Sequence, residues 1–361
     1  MRAEKQGPYD RLNRLRIAGK LSEEEVSVLS SSRASGEGGQ SIENAIGFMP
    51  VPLGILDGLV VNNREYLVPM ATTQKSVISL TSRGSLWAGI GGGFRARSMG
   101  STMIGQVQLT GLGDLQGVKS RILANKEEIL GRANTQSSTR RAFDLGIREV
   151  ETFMGPMLVM ELLVDVKDSM GANVVDSMCE AVAPLVEGLS GGRAGLRVLS
   201  NLATRRLVRA EVEVPSEVVG GTGVVDGIVA ASVFAESDLW RAATHNKGVM
   251  NGVSAVLLAT GNDTRAVEAG AHAYAALSGK YCPLSKWNKN SQGALAGELT
   301  MPMAVGIVGG AVNIHPVSRI ALKLLGVRTA VELGEVAASA GLAYNLGALQ
   351  AMVTGAPFPR Q

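Results

Sequence analysis

Residues 243–263 have the sequence ATHNKGVMNGVSAVLLATGND, and the rest of the chain is organised around this stretch. Lys247 and Asp263 flank a run rich in Val, Leu and Ala that is typical of a buried element. The glycines predict turns at its ends, where loops on a rigid scaffold position functional side chains. A lysine held near an aspartate stays cationic and can polarise a carbonyl group. A structural ion pair is the alternative, and these residues alone do not decide between the two.

Composition limits the class of protein. The 361 residues suffice for two domains, and a sequence with 45% hydrophobic but only 4% aromatic residues predicts an aliphatic core. A net charge of +3 is too small to indicate nucleic-acid binding, and the Arg205-Arg206 cluster has no interleaved aromatic residues. The two distant cysteines fit a reducing compartment. No apolar segment follows the polar N-terminus and no run of about 18 apolar residues occurs, so we expect a cytoplasmic protein without a signal peptide or a membrane partner.

One part of the chain, residues 103–201, alternates between strand and helix patterns. Strands are predicted at 103–109, 147–153, 157–166 and 196–199, and helices at 115–133 and 173–189. The order β-α-β-β-α-β is that of a ferredoxin-like sandwich, compact enough to be an inserted domain.

The remaining patterns predict helices, short apolar segments and one hairpin over residues 55–69 with Asn62-Asn63 at its turn. The predicted fold is therefore α+β, with a mainly helical large domain and an inserted ferredoxin-like small domain. Its parts are N-terminal helices and a linker (1–40), the large domain (41–102 and 202–361) and the small domain (103–201).

Two turns before helices are candidate phosphate-binding sites. Residues 111–117, GLGDLQG, resemble a dinucleotide fingerprint, but their last spacing is one residue too long, and we interpret them as a strand-to-helix turn. Residues 168–173, DSMGAN, join an apolar strand to an apolar helix, whose free N–H groups suit an anion such as pyrophosphate. By spacing alone, capping of that helix by Asp168 is the simpler interpretation.

Glu43 is unusual because it stands in an apolar segment bounded by Pro and Gly. Burial would favour its protonated form and make it a proton donor, whereas an exposed loop glutamate is the alternative. His245, His272 and His315 have no metal-ligand spacing, so no metal is expected, and we interpret His272 as structural and His315 as a turn residue.

Four motifs occur together in one order and spacing: ENAIG (43–47), DSMGAN (168–173), HNKG (245–248) and TGND (260–263). On these motifs the chain resembles 3-hydroxy-3-methylglutaryl-coenzyme A (HMG-CoA) reductases of the soluble bacterial class, class II. The resemblance implies reduction of HMG-CoA to mevalonate and coenzyme A by two hydride transfers, or the reverse in mevalonate breakdown. It also implies a homodimer or higher homo-oligomer with active sites at the subunit interface, and a dinucleotide-binding role for the inserted domain.

The resemblance assigns catalytic roles to three residues of this sequence. Lys247 would stabilise the oxyanion that forms on hydride transfer, Glu43 would protonate the mevaldehyde oxygen, and Asp263 would hold both in one hydrogen-bonded network. Asn201 would join that network.

Binding roles follow from the same resemblance. Arg241 and Asn251 match positions that bind the HMG carboxylate. The cofactor-binding turn is matched by Asp168, Met170, Gly171 and Asn173. The cofactor is NADPH or NADH: Arg148 could favour a 2′-phosphate and Glu149 a ribose diol, and we lean slightly to NADPH.

The family continues past a helix matched by residues 329–352 into a C-terminal flap, whose histidine protonates the departing coenzyme A thiolate. None of the three histidines matches it, so we expect the flap to be absent and mevaldehyde reduction to outlast full HMG-CoA turnover. The main rival is a non-catalytic homologue that binds acyl-CoA thioesters. A third hypothesis, an unrelated acyl-CoA-binding protein, would require Lys247, Asp263 and Glu43 to lie far apart.

Overall fold

The computed structural model describes residues 8–31, 44–47, 49–310, 312 and 315–356, and it places them mainly around two hydrophobic cores. The helices are α1 (Pro8–Ile17), α2 (Glu23–Ser31), α3 (Ser76–Ile90), α4 (Leu115–Ala124), α5 (Lys126–Asn134), α6 (Ala172–Ser190), α7 (Ser216–Val219), α8 (Thr222–Ser237), α9 (Leu239–Ala259), α10 (Thr264–Ala275), α11 (Pro316–Leu325) and α12 (Ala330–Thr354). The strands are β1 (Leu53–Val61), β2 (Arg64–Ala71), β3 (Arg95–Ser98), β4 (Thr102–Thr110), β5 (Arg141–Val150), β6 (Met157–Asp165), β7 (Arg193–Leu199), β8 (Leu207–Val214), β9 (Ser285–Lys289) and β10 (Leu295–Pro302).

The smaller core lies between α4–α6 and an antiparallel sheet with the strand order β5-β6-β4-β7. Gly105 on β4 lets α6 approach the sheet closely, since a Cβ there would lie 2.4 Å from the Sγ of Cys179. The elements follow in the predicted order, except that the helix predicted over 115–133 is two helices. They separate at Asn125, whose side chain donates to the Arg121 carbonyl at the end of α4 (2.8 Å).

The larger core contains a sheet that the sequence patterns did not predict. Its strand order is β3-β8-β10-β9, and all its pairs are antiparallel. The two edge strands are short and polar, RARS and SKWNK, so their strand conformation depends on pairing with β8 and β10. The predicted hairpin is confirmed as β1 and β2, with Asn62 and Asn63 at positive φ in the turn.

Helix α12 runs through the larger core. It is long and apolar enough to cross a membrane, yet 83% of its apolar window is buried within the protein. Its glycines allow close packing: a Cβ on Gly347 would lie 2.1 Å from the Leu80 carbonyl oxygen of α3. Helices α3, α9 and α12 therefore pack together and present the exposed face of α9 to solvent.

Candidate active site

Two cavities contain the residues that the sequence motifs single out. The α6 cavity, of about 570 Å³, is lined by residues 169–174 at the start of α6, residues 261–263 and residues around 306–310. The α9 groove, of about 370 Å³, is lined by one face of α9, the segment after β2 and part of α10. The DSMGAN and TGND motifs thus meet in one cavity, while the HNKG motif lies in the other.

The start of α6 is built to present backbone N–H groups to the α6 cavity. Gly171 has φ 100°, and a Cβ there would lie 2.5 Å from a Val166 methyl group, so only glycine fits. No side chain caps the helix. Met170 and Asn173 line the cavity on either side of this turn. The uncapped N–H groups and the helix dipole suit an anion.

Asp168 does not cap α6, so that interpretation was wrong. Its Oδ1 atom accepts a hydrogen bond from the backbone N–H of Ala330 at the start of α12 (2.8 Å). Its carbonyl oxygen accepts from the N–H of Ile307 (2.9 Å). Asp168 therefore fixes the turn against the larger core and does not itself line the cavity.

Arg140 also lines the α6 cavity, together with Ser137, and sequence reasoning missed both. Ser137 Oγ accepts from the Arg140 N–H (3.1 Å), and the guanidinium donates to Thr139 Oγ1 (2.7 Å). A guanidinium suits phosphate oxygens because it donates several hydrogen bonds in one plane. The sequence signal for Arg140 was its position in a Ser-rich loop between a helix and a strand.

Residues 243–252 were predicted to form turns, and this is wrong: they lie inside α9. Gly252 allows close helix packing. A Cβ on Gly252 would lie 2.5 Å from the Ala340 carbonyl oxygen of α12. Glycine in a helix costs about 1 kcal/mol, and here close contact with α12 offsets that cost.

The helical conformation aligns the predicted substrate residues. Arg241, Lys247 and Asn251 recur at helical spacing along one side of α9, with Thr244 between the first two. Lys247 is exposed and its Nζ donates to Gln74 Oε1 (3.2 Å). Asn251 donates to the Tyr344 hydroxyl (2.9 Å).

Arg241 is half-buried, and burial lowers the pKa of its guanidinium. Within the described part of the chain, no carboxylate pairs with this guanidinium. A cation without a counterion at the start of this face is suited to an anionic ligand.

Asp263 and Lys247 do not meet within one chain. Asp263 caps α10 by accepting from the Ala266 N–H (3.0 Å) and lies in the α6 cavity. Twelve residues of α9 separate Lys247 from Ala259, which at 1.5 Å per residue is about 18 Å. A lysine side chain cannot bridge that distance.

Comparison with known proteins identifies the family. The family model described as hydroxymethylglutaryl-coenzyme A reductase matches residues 10–356. A 3-hydroxy-3-methylglutaryl-coenzyme A reductase of Archaeoglobus fulgidus is 46% identical over 351 residues, covering 96% of this chain and 80% of that protein. A probable reductase of the same kind from Borreliella burgdorferi is 31% identical, covering 86% of this chain and 73% of that protein.

A solved class II HMG-CoA reductase of Streptococcus pneumoniae, bound to NADPH, matches with a TM-score of 0.86 and 36% identity, covering 96% of this chain and 87% of that one. The chain belongs to the hydroxymethylglutaryl-coenzyme A reductase family. Its activity is the NAD(P)-dependent reduction of HMG-CoA in the mevalonate pathway. The hypothesis of an unrelated acyl-CoA-binding protein is therefore wrong, although Lys247 and Asp263 are far apart in one chain.

Four predicted site residues of this HMG-CoA reductase are not found in the lining of either cavity: Asp168, Arg241, Asn201 and Glu43. Glu43 lies outside the described residues, which resume at Asn44. Asn201 is exposed, and its carbonyl oxygen faces α10, where a Cβ on Gly270 would lie 2.4 Å away. The structure shows no hydrogen bond from the Asn201 side chain to Lys247 or Asp263.

The residues predicted to discriminate between the reductase's cofactors already have other partners. Arg148 pairs with Glu161 (3.1 Å), and Glu149 pairs with Lys119 (2.7 Å). Neither lines the α6 cavity; among the described residues that line it, Arg140 is the cation.

The buried face of α9 is structural in this reductase. His245 Nε2 hydrogen-bonds with Ser285 Oγ (2.7 Å), which in turn donates to Asn345 (3.1 Å). Burial and the nearby Arg241 cation lower the pKa of His245 to about 4. The neutral imidazole thus anchors α9 to β9, while the opposite face carries the candidate substrate residues.

His272, interpreted as structural, makes an internal hydrogen bond and also lines a cavity. Its Nδ1 atom hydrogen-bonds with the Tyr281 hydroxyl (2.7 Å), yet the side chain also lines the α9 groove. Among the described residues, no group of three His, Cys, Asp or Glu side chains is arranged to hold a metal ion.

Proposed function

We propose that this chain is a class II HMG-CoA reductase whose α6 cavity binds NADPH and whose α9 groove binds the HMG group. The observation that carries the proposal is the uncapped start of α6, which opens into the same cavity as Asp263. Under this proposal, residues 103–201 form an inserted ferredoxin-like, dinucleotide-binding domain. The strand order β5-β6-β4-β7 and the separate hydrophobic core support that division.

The cofactor's pyrophosphate would bind at the N–H groups of Gly171 and the first turn of α6. Arg140 would contact the 2′-phosphate, which favours NADPH over NADH. The Streptococcus pneumoniae relative with bound NADPH supports the same cofactor. Met170 and Asn173 would contact the dinucleotide from either side of the turn, and Asp168 would hold the turn in place.

The α9 groove would bind the acyl group. Arg241 and Asn251 would bind its carboxylate, and Lys247 would donate to the thioester oxygen. One hydride from NADPH adds to the thioester carbon, and the resulting oxyanion is stabilised by the Lys247 ammonium. Collapse breaks the C–S bond and gives mevaldehyde and the coenzyme A thiolate, which takes up a proton. A second NADPH, bound in place of the NADP⁺ formed, would supply the hydride that reduces the aldehyde. Glu43 would supply the proton to its oxygen, and mevalonate would leave.

We further infer that the active site needs two copies of the chain. The hydride donor bound beside Asp263 and the acyl group bound at Lys247 must touch, yet these residues are separated by more than half the length of α9. In a twofold-symmetric homodimer, Lys247 of one subunit can face Asp263 of the other. The network predicted for Lys247, Asp263 and Glu43, with Asn201 beside it, would then form across the interface.

The physiological direction, mevalonate synthesis or breakdown, follows from the supply of substrates and not from these side chains. The cytoplasmic location and the predicted lack of the flap histidine stay predictions, and residues after 356 lie outside the description.

The direct test is a steady-state assay of NADPH-dependent HMG-CoA reduction in wild type and Lys247→Met, with Lys323→Met, an exposed lysine on α11, as the control. We expect the control to match wild type and Lys247→Met to lose activity while still binding NADPH. Saturable HMG-CoA binding without hydride transfer in the wild type would support the non-catalytic homologue instead.

A further inference from the structure

A buried arginine, Arg206, lies behind the cofactor turn and outside both cavities. It is only 3% exposed. Its Nη1 atom donates to the carbonyl oxygens of Ser169 (3.1 Å) and Met170 (3.2 Å). Its Nη2 atom donates to the carbonyl oxygens of Val305 (2.5 Å) and Lys167 (3.5 Å). Burial lowers the pKa of Arg206 to about 10, partly offset by nearby aspartates, so the side chain stays cationic at neutral pH.

These hydrogen bonds orient the peptide groups of the turn. The carbonyl oxygens of Lys167, Ser169 and Met170 point to the guanidinium, and that of Asp168 accepts from Ile307. In a trans peptide the N–H points opposite to the C=O. The N–H that follows the Met170 carbonyl, that of Gly171, is therefore directed away from Arg206, towards the cavity that Gly171 lines.

The same arginine joins the turn to the loop that carries Asp263. Val305 accepts from Arg206, and the next residue, Gly306, donates its N–H to Asn262 Oδ1 (2.7 Å). Gly306 also packs closely on the turn, because a Cβ there would lie 2.6 Å from the Met170 nitrogen. A continuous set of contacts thus runs from the cofactor turn through Arg206 and Gly306 to the residue before Asp263.

We propose that Arg206 is a positioning residue, which orients the amides of the cofactor turn and holds this turn at a fixed distance from Asp263. This inference rests on the proposed binding of NADPH in the α6 cavity. Lysine could keep the charge but cannot donate in a planar fork to several carbonyl oxygens at once. A small displacement of the turn would misalign the cofactor, so the effect should appear in NADPH binding and not only in the amount of folded enzyme.

The test compares Arg206→Lys and Arg206→Met with Arg205→Lys, a change at the exposed neighbouring arginine. The NADPH Kd is measured by the fluorescence of bound NADPH, and KM for NADPH and for HMG-CoA is measured well below the unfolding temperature. We expect both Arg206 variants to raise the Kd and KM for NADPH roughly tenfold, with KM for HMG-CoA unchanged. Arg205→Lys should match wild type.

Loss of folded protein alone would lower the apparent kcat and leave KM for NADPH unchanged, and that result overturns the inference. A wild-type NADPH Kd in Arg206→Lys overturns it as well, even if Arg206→Met fails to fold. The variant Ala172→Asp distinguishes failure of the Arg206 inference from failure of the proposed NADPH site. A carboxylate at the first residue of α6 should repel the pyrophosphate and weaken NADPH binding. If Ala172→Asp binds NADPH as wild type does, the cofactor site itself is wrongly placed.

Discussion

The α6 cavity and the α9 groove differ in how completely one chain builds them. Around the α6 cavity, the turn, the 306–310 loop and the TGND loop are tied together by hydrogen bonds that Arg206 donates and that Asn262 Oδ1 and the Asp168 carbonyl oxygen accept. In the α9 groove, the Lys247 ammonium contacts only an amide, that of Gln74, in the described structure. Under the proposed function, one subunit thus builds the cofactor site, whereas Lys247 needs carboxylates from a second subunit.

The largest effect on activity should come from a substitution in the α9 groove that leaves the α6 cavity unchanged. Replacing Lys247 with methionine removes the cation but keeps most of the side-chain volume. We expect kcat for HMG-CoA reduction to fall about 10²–10³-fold, because the oxyanion loses its donor. The Kd for NADPH, measured by fluorescence, should stay within twofold of wild type, since the α6 cavity is unchanged. A parallel loss of NADPH binding would contradict the separation of the two cavities.

The next largest effect concerns protonation of the coenzyme A thiolate. If the predicted absence of the flap histidine holds, thiolate protonation lacks that general acid, a contribution of about 10²-fold or more. We expect mevaldehyde reduction to proceed faster than complete HMG-CoA turnover by about that factor, in parallel assays at saturating NADPH. Equal rates for the two substrates would show that another group supplies the proton.

A smaller effect on activity should come from a substitution in the α6 cavity. Arg140→Met should lower kcat/KM for NADPH about tenfold and leave kcat/KM for NADH nearly unchanged, because only NADPH carries the 2′-phosphate. Arg148→Met is the matched control, since Arg148 pairs with Glu161 outside the cavity. If Arg148→Met, and not Arg140→Met, changes the cofactor preference, the cavity has been assigned the wrong cation.

The smallest effect should come from the buried face of α9. The pKa of His245, about 4 in the fold, lies below its usual value of 6.5, so the unfolded chain binds the proton more tightly. The stability contributed by neutral His245 is present above pH 6.5 and is lost as the pH falls towards 4. We expect the loss to be of the order of 3 kcal/mol.

His245→Gln keeps a donor near the position of Nε2 and removes the titrating group. Between pH 6.5 and 4.5, its thermal midpoint should therefore fall less than that of wild type, while activity at pH 7.5 stays within a few-fold. Identical pH dependence in the two proteins would mean that His245 does not titrate in this range.

The sequence predicted features that depend on neighbouring residues. Residues 22–25, SEEE, have the pattern of a capping box, and in the structure the side chains of Ser22 and Glu25 each accept a hydrogen bond from the other's backbone N–H (3.1 Å and 2.7 Å). The Asn62-Asn63 turn and the order of elements between 103 and 201 also depend on local patterns. The motif resemblance identified the family, which no spacing rule alone would have done.

Features that depend on distant contacts were missed. Gly252 suggested a turn, because its role, close packing on α12, involves residues about ninety positions away along the chain. The edge strands β3 and β9 have no apolar alternation of their own. Arg206 belonged to a basic pair with no local signal, and its partners come from residues 167–170 and 305.

The central claim, that Lys247 and Asp263 of different subunits share one active site, is tested most directly by complementation. Lys247→Met and Asp263→Asn are co-expressed with different affinity tags, and the mixed dimer is purified through both tags. Asparagine retains the cap of α10, so the second variant should fold. We expect each variant homodimer to be inactive, while the mixed dimer, with one intact site of two, should have about half the wild-type kcat. A mixed dimer as inactive as either homodimer would contradict the central claim.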